Sequence, residues 1–389
     1  MTLPNDTIPD LTAAATAAAT RMPATNRAAD AAFLLGEIDS TNTLARELLV
    51  DGRLGAVLSG VSGDELSARG SSVSGPSTSS RAARSAVPVA VVAADAQTAG
   101  RGRLDHTWTS RPGESFTVTF VVAVPRAVAT DESVNGWLQM IAGLSVLDAL
   151  DDALAISGAR PVRGAFDALG APDGQKAAVD SRVHSAADGS ADSTAADPHG
   201  RSVAAPAVPQ LKWPNDVYLG GRKLGGILAE MVPLSAPAAA AVPAGGPNDS
   251  TVRADSAVAI VFGIGLNLNV PADRLPTAES TSLQLHYAPL PAPDALRDAI
   301  AAGVVRSLRR RLAAFVADPK RRAALLLRET RERSWTLGRR AVAHFVDGAE
   351  LEGVAEDLNP DASLVLRDRD GVEHTVRTAD VGVLPERDV

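Results

Sequence analysis

Apolar positions in this chain fall into continuous runs, helical spacing or alternation, and each pattern predicts a different element. Leu44, Leu48 and Leu49 follow helical spacing after Ser40-Thr41, so a short helix is expected there, capped by one of those hydroxyls. Val87 to Ala94 (VPVAVVAA) is a continuous run rich in β-branched residues and predicts a buried strand. Ser115 to Val124 alternates at first and then turns wholly apolar, a second strand. Over Asn135 to Leu154, apolar residues at 137, 138, 141, 144, 147 and 150 give the stripe of a helix packed on a sheet, with Trp137 in the core. Pro214 breaks the run from Val208 to Leu219, which suits a bulge or an edge position, and Gly220-Gly221 predicts a hairpin turn into Arg222 to Val232. Ala257 to Asn269 is a central strand whose Gly263 and Gly265 permit close backbone approach. Helices are expected over 293–316 and 318–333. From Gly338 to Leu384, short runs separated by Asp-Gly and Asn-Pro-Asp turns predict a small antiparallel barrel or sheet of about five strands.

Elsewhere the periodicity disappears. Residues 1–30 are rich in Ala, Thr, Pro and Asp and are expected to be a disordered tail or at most a short helix. Low-complexity stretches at about 59–86, 157–206 and 233–254 read as insertions, and deleting 62–84, 165–204 or 236–250 is expected to leave activity nearly intact. The expected organisation is a large domain over 31–334 followed by a small one over 335–389.

Composition narrows the chemistry. With 45% hydrophobic and 22% charged residues the chain suits a soluble globular protein, and the absence of cysteine excludes disulfides, thiolate catalysis and zinc–thiolate sites. The histidines, His106, His184, His199, His286, His344 and His374, lack metal-ligand spacing. No leader and no apolar run of about 18 residues is present, so a cytoplasmic protein without a membrane span is expected. A net charge of −8 argues against broad binding to nucleic acid, and the basic residues between Arg306 and Arg333 read as a solvated helix surface.

Two stretches carry candidate chemistry. Gln97-Thr-Ala-Gly-Arg-Gly-Arg103, leading to Trp108, sets Arg101 and Arg103 in a loop whose Gly100 and Gly102 let backbone N–H groups approach a ligand. The loop has neither the phosphate-loop nor the dinucleotide glycine spacing. Lys212-Trp-Pro-Asn-Asp216, leading to Arg222-Lys223-Leu-Gly-Gly226, adds two ammonium groups, a carboxylate and an amide. In a chain whose only lysines are Lys176, Lys212, Lys223 and Lys320, two within one short segment point to a need for compact point charges. Together these groups suit joining a carboxylate to a phosphate, two anions that repel until fixed cations bring them together.

In order along the chain, Ser40-Thr41-Asn42, the Gln97–Arg103 loop with Trp108, Lys212–Asp216, Lys223–Leu228 with Glu230, Gly263-Ile-Gly-Leu-Asn267 and the terminal small barrel resemble the biotin–protein ligases. The resemblance implies an α+β fold, a mixed sheet with flanking helices similar to class II aminoacyl-tRNA synthetases, plus a small C-terminal β-barrel. It implies two half-reactions: biotin and ATP give biotinyl-5′-AMP and pyrophosphate, and a lysine of a biotin carboxyl carrier domain then takes the biotinyl group and releases AMP. The residues it points to are Lys223, Arg101, Arg103 and Lys212 for catalysis. For biotin it points to Ser40, Thr41, Gln97, Gly100, Gly102, Lys223, Gly225 and Gly226. For ATP and the adenylate it points to Arg101, Arg103, Trp108, Asn215, Asp216 and Asn267, with Asp216 holding Mg²⁺ or assisting the incoming amine. No tightly bound cofactor is expected, and a monomer or weak homodimer is.

Two departures stand out. Leu104-Asp105-His106 occupies positions where many of these ligases carry a basic residue or glycine, which makes the loop less cationic at its far end. Residues 1–36 are too short for a winged-helix DNA-binding domain, so no operator binding is expected. A lipoate–protein ligase shares the fold and adenylate chemistry, but the polar Ser40, Thr41 and Gln97 favour a ureido ring over a dithiolane. A nucleic-acid-binding module built on the basic helices and small barrel is the remaining alternative.

Overall fold

A computed structural model of the chain describes residues 9–58, 87–102, 107–162, 207–234 and 257–384. Its strands are β1 (Ala31–Ile38), β2 (Val89–Gln97), β3 (Gly100–Arg101), β4 (Thr107–Trp108), β5 (Ser115–Pro125), β6 (Arg160–Pro161), β7 (Pro209–Lys212), β8 (Asp216–Leu219), β9 (Arg222–Pro233), β10 (Ala257–Asn267), β11 (Tyr287–Ala288), β12 (Arg340–His344), β13 (Glu350–Leu358), β14 (Leu364–Arg367), β15 (Glu373–Val376) and β16 (Asp380–Val383). Its helices are α1 (Leu11–Arg21), α2 (Pro23–Ala28), α3 (Thr41–Val50), α4 (Arg53–Leu58), α5 (Arg126–Ala129), α6 (Gly136–Ser157), α7 (Pro293–Ala317) and α8 (Pro319–Glu332). The expected insertions lie almost wholly outside the described residues, as do Arg103 and Leu104-Asp105-His106.

Among the described residues the main sheet has the order β1-β2-β5-β10-β9-β8-β7, with β1 parallel to β2 and every other pair antiparallel. The continuous apolar runs are explained by cover on both faces, because a strand buried on both sides cannot alternate with polar residues. Val89, Val91 and Ala93 of β2 join Phe116, Val118 and Phe120 of β5 in one core with Trp137, Ile141, Leu144 and Leu308 of α6 and α7. Ala90 and Val92 face the other way, into a smaller core with Leu44, Leu48 and Leu49 of α3. Each fully buried leucine there contributes roughly 1.5–3 kcal/mol.

The N-terminal segment corrects the expectation of a disordered tail, since residues 11–28 form α1 and α2. Asp10 caps α1 by accepting from the N–H groups of Thr12 and Ala13, and only Ala14 and Ala18 of this alanine-rich helix are buried. Such a narrow stripe of small residues leaves no legible period. What ties the segment down comes from far along the chain. Asp298 of α7 accepts from the N–H groups of Ala24 and Thr25 at 2.9 and 2.7 Å, capping α2 from another helix. Arg21 bridges Asp95 and Asp294. Burial alone would raise the Asp95 carboxyl, yet hydrogen bonds from Arg21 and Arg297 outweigh it and hold the group below its usual range.

Half of the basic residues from Arg306 to Arg333 form ion pairs, whereas Lys320, Arg321, Arg322 and Arg328 of α8 are exposed, as expected of a solvated helix surface. Arg311 contacts Asp148 and Glu329, Arg333 contacts Asp148 and Asp151, and Arg331 contacts Asp357. The C-terminal region is a five-stranded antiparallel sheet of order β15-β14-β13-β12-β16. No ladder joins β15 to β16 among the described residues, so the expected barrel is present as an open sheet. Segment 333–336 connects it to the main sheet and docks along edge strand β7: Leu211 N–H donates to Arg333 O at 2.8 Å and Trp335 N–H donates to Leu211 O at 2.6 Å.

Candidate active site

A cleft of about 550 Å³ opens where β1 and β2 end, where the β8–β9 hairpin turns its polar face outward, and where β12 and β16 approach from the small sheet. Parallel pairing of β1 with β2 sets Ile38 beside Gln97. Thr98 and Ala99 N–H groups extend that contact to Ile38 O and Asp39 O. The next turn is α3, whose N-cap is Ser40, so the pairing brings Thr41 against Gln97. Gln97 Oε1 accepts from the Thr41 N–H at 2.8 Å and from Thr41 Oγ1 at 3.0 Å.

Across the cleft stand the lysines. Lys212 pairs with Asp216 across β7–β8, and Tyr218 pairs with Lys223 across β8–β9. Residues two apart on β8 share a face, so Lys212, Asp216, Tyr218 and Lys223 all point the same way. Asp216 is buried between two lysines: its Oδ2 accepts from Lys212 Nζ at 3.2 Å, and its Oδ1 makes an ion pair with Lys223 Nζ at 2.8 Å. Lys212 is buried while the Lys223 side chain is 41% exposed, so of the two ammonium groups Lys223 is the one open to the cleft. Its backbone is locked as well, donating to Glu279 O and accepting from Thr281 N–H, both at 2.8 Å. Beneath it, Tyr218 lies 5.6 Å from Lys212 Nζ and stacks on Trp335. Burial, with the charges of Asp216, Glu279 and Asp380, pushes the Tyr218 phenol above its ordinary range.

Glycine does distinct work at three points. Gly100 sits in the β3–β4 hairpin, where a Cβ would meet Trp108 O at 2.5 Å. At Gly265 a Cβ would meet the Trp108 ring at 2.5 Å, so the indole lies directly on the β10 backbone. Gly225 corrects an expectation. Between Val217 and Tyr218 the β8–β9 register slips, leaving Leu224 as an extra residue on β9. The slip reverses the alternation, so that Gly226 opposes Asp216 and lines the cleft beside Lys223 while Gly225 turns onto β10, where a Cβ would meet Gly265 O at 2.1 Å.

Of the residues singled out from sequence, Ser40, Thr41, Gln97, Arg101, Gly102, Trp108, Lys212, Asn215, Asp216, Lys223, Gly226 and Asn267 line this one cleft. Gly100 and Gly225 support its walls, and Arg103 lies outside the described residues. Asn215 and Asn267 use their amides on backbone carbonyls, Ile227 O at 3.2 Å and Thr281 O at 3.0 Å. Asp216 has an ammonium group beside each oxygen, and no group of three His, Cys, Asp or Glu side chains that could hold a metal ion occurs among the described residues.

Residues 84–245 match the Biotin/lipoate A/B protein ligase family. The chain is 26% identical over 277 residues to the biotin--[acetyl-CoA-carboxylase] ligase of Mycobacterium tuberculosis, spanning 71% of this chain and 72% of that protein. Among solved structures it is similar to a biotin protein ligase from Aquifex aeolicus in complex with biotin and ATP, with TM-score 0.49, 17% identity and coverage of 91% of this chain and 99% of that one. It is also similar to a biotin acetyl coenzyme A carboxylase synthetase from Helicobacter pylori with bound biotinylated ATP, with TM-score 0.39, 14% identity and coverage of 88% and 98%. Among the described residues no helix is long and apolar enough to cross a membrane.

Around the cleft, sequence reasoning missed Tyr218, Glu279, His344 and Asp380, all of which line it. His344 and Asp380 come from the small sheet, and nothing in their local sequence signals a meeting with residues more than a hundred positions earlier. Also missed is Thr119, buried behind Thr41. Its place in an apolar strand was a usable signal, because a hydroxyl buried among valines and phenylalanines needs a partner.

Proposed function

We infer that the chain is an ATP-dependent biotin–protein ligase. The observation that carries the reading is the pairing, within one cleft, of an exposed ammonium on a buried carboxylate, Lys223 on Asp216, with a polar reading edge, Thr41 and Gln97. In the first half-reaction a biotin carboxylate oxygen attacks the α-phosphorus of ATP and pyrophosphate leaves. Negative charge grows on the phosphoryl oxygens, and Lys223 supplies a fixed counter-charge there without reorganising. Asp216 keeps both lysines pointing into the cleft, and Arg101 and Arg103 add guanidinium groups that grip carboxylate and phosphate oxygens through paired hydrogen bonds. Magnesium enters as the ion complexed by the ATP phosphates. Trp108 covers the adenylate and shields it from water, since a mixed anhydride hydrolyses when exposed, and Asn267 faces the base.

In the second half-reaction the neutral amine of a carrier lysine attacks the biotinyl carbonyl, an amide forms and AMP leaves. The partner is therefore a biotin carboxyl carrier domain, in keeping with the name of the Mycobacterium tuberculosis relative. The architecture suits a class II synthetase-like catalytic domain over 31–334, joined to a small domain over 335–389 whose His344 and Asp380 close one side of the cleft.

The test is pyrophosphate release by purified protein with Mg-ATP and biotin, run beside lipoate and Lys223→Ala, followed by transfer to a carrier domain. Biotin-dependent release that collapses in the variant, with label on one carrier lysine, supports the reading. Release with lipoate alone changes the substrate, and silence with both removes the ligase activity.

A further inference from the structure

Behind the reading edge runs a chain of polar groups, buried at Thr41, Asn42 and Thr119 and half-buried at its Glu230 end, whose donor and acceptor roles can be assigned without seeing a hydrogen. Glu230 starts it. Its Oε1 accepts from Arg46 Nη1 at 3.1 Å and its Oε2 accepts from Asn42 Nδ2 at 2.7 Å. A carboxylate in such a pair only accepts, so the Asn42 amide must turn its NH₂ toward Glu230 and its Oδ1 away. Thr119 Oγ1 lies 2.7 Å from that Oδ1 and therefore donates its single proton there. Thr119 Oγ1 is also 2.8 Å from Thr41 Oγ1. With its proton already placed, Thr119 can only accept from Thr41.

The other side of Thr41 leads to the same result. Gln97 Oε1 receives the Thr41 backbone N–H, an obligate donor, so the Gln97 amide orientation is settled too. Both inward neighbours of the Thr41 hydroxyl, Thr119 Oγ1 and Gln97 Oε1, are acceptors, and its proton points inward to one of them. Toward the cleft Thr41 offers only lone pairs, while Gln97 is left with its NH₂ to donate. A Cβ at Gly263 would meet Asn42 Oδ1 at 2.2 Å, so the glycine lets the Asn42 amide pack flat in this relay.

We propose that Glu230, acting through Asn42 and Thr119, is a positioning device that makes Thr41 an acceptor and so selects a ligand edge carrying an N–H beside a C=O. This rests on the biotin-ligase reading and names what sets its specificity for a cyclic urea. Glu230→Gln removes the obligate acceptor: a glutamine can turn its carbonyl or its NH₂ to Asn42, Asn42 can flip, and Thr119 can then donate to Thr41. The Thr41 proton is freed to face the ligand.

The test is calorimetric binding of biotin and of the two cyclic carbamate analogues in which one or the other ring N–H is replaced by oxygen. Wild-type protein should bind one isomer at least ~100-fold more weakly than biotin, because a lone pair then faces a lone pair. Glu230→Gln and Thr119→Val should narrow that ratio by about tenfold or more, chiefly by tolerating the carbamate. Thr119→Ser, which keeps the hydroxyl, should retain the wild-type ratio. Thermal unfolding of each variant monitors folding. Ratios within about twofold of wild type in both Glu230→Gln and Thr119→Val, or equal weakening of biotin and carbamate, overturn the relay and leave the ligase reading standing. Absence of biotin binding by wild-type protein overturns both.

Discussion

Lys223 places its Nζ 2.8 Å from Asp216 Oδ1 while its side chain stays 41% exposed. One end of this ion pair is buried and fixed, and the other is presented to the cleft. A lysine held this way delivers a positive charge at a set position.

Lys223→Ala is expected to reduce biotin-dependent pyrophosphate release by about 10²–10³-fold with little change in unfolding temperature. Lys223→Arg should not restore it, since a planar fork cannot occupy the place of a point charge between Asp216 and the cleft. Steady-state rates at saturating biotin and ATP decide; an arginine variant within a few-fold of wild type would sink the positional argument.

Asp216→Asn should behave differently. Lys212 is 8% exposed, and removing its carboxylate leaves a buried cation without a counter-charge, at roughly 3–5 kcal/mol. Urea unfolding should shift to lower midpoint together with loss of activity. An asparagine variant as stable as wild type would show that Lys212 escapes to solvent.

Gly265→Ala introduces a methyl where the Trp108 ring now lies, at 2.5 Å. The indole must leave the β10 backbone. Its emission should shift to longer wavelength, and the ATP KM should rise about tenfold through loss of adenylate cover. Trp108→Phe supplies the spectral control, and an unchanged spectrum in Gly265→Ala would refute this placement of the ring.

Two indoles pin the small sheet to the rest. Trp213 Nε1 donates to Ala362 O at 2.9 Å and Trp137 Nε1 donates to Pro360 O at 2.7 Å. Trp213→Phe should cost about 1–3 kcal/mol by leaving the buried Ala362 carbonyl unpaired, and Trp137→Phe should cost less, because Pro360 is exposed and water can replace the indole. Denaturant titration of the single and double variants measures it, and shifts below a few tenths of a kcal/mol would contradict these contacts.

His286 gives the pH dependence. Burial, aided by the Arg222 charge, lowers its pKa from 6.5 to about 4. The unfolded chain then binds this proton more readily than the folded one, so stability is present above pH 6.5 and is lost as pH falls toward about 4, by up to about 3 kcal/mol. His286→Gln should flatten the stability curve across that window. A wild-type curve already flat there would remove the effect.

Much of the site was legible because its chemistry is local. Lys212, Asp216 and Lys223 fall within one short segment, and the two-residue turn at Gly220-Gly221, with φ of 58° and 76°, already sets Lys223 opposite Tyr218 on the face of Asp216. The other strands of the main sheet and the long helices were likewise readable from period alone, because both faces of the sheet are covered and apolar runs follow, but β1 (Ala31–Ile38) was not anticipated. The alanine-rich N-terminus was illegible for the converse reason: its partners, Asp95, Asp294 and Asp298, stand far along the chain.

Sequence alone contained most of the element order from α3 onward, the cations of the site and the polar edge of Ser40, Thr41 and Gln97. Tertiary structure alone decided which neighbours face the cleft. The bulge at Leu224 turns Gly226 in and Gly225 out, the β1–β2 pairing lays Thr41 on Gln97 across 56 positions, and Glu230 reaches Asn42 across 188. Alternation and charge are local properties that a linear reading contains. A register shift and a hydrogen-bond polarity depend on which strands meet, and that follows only from packing the whole sheet.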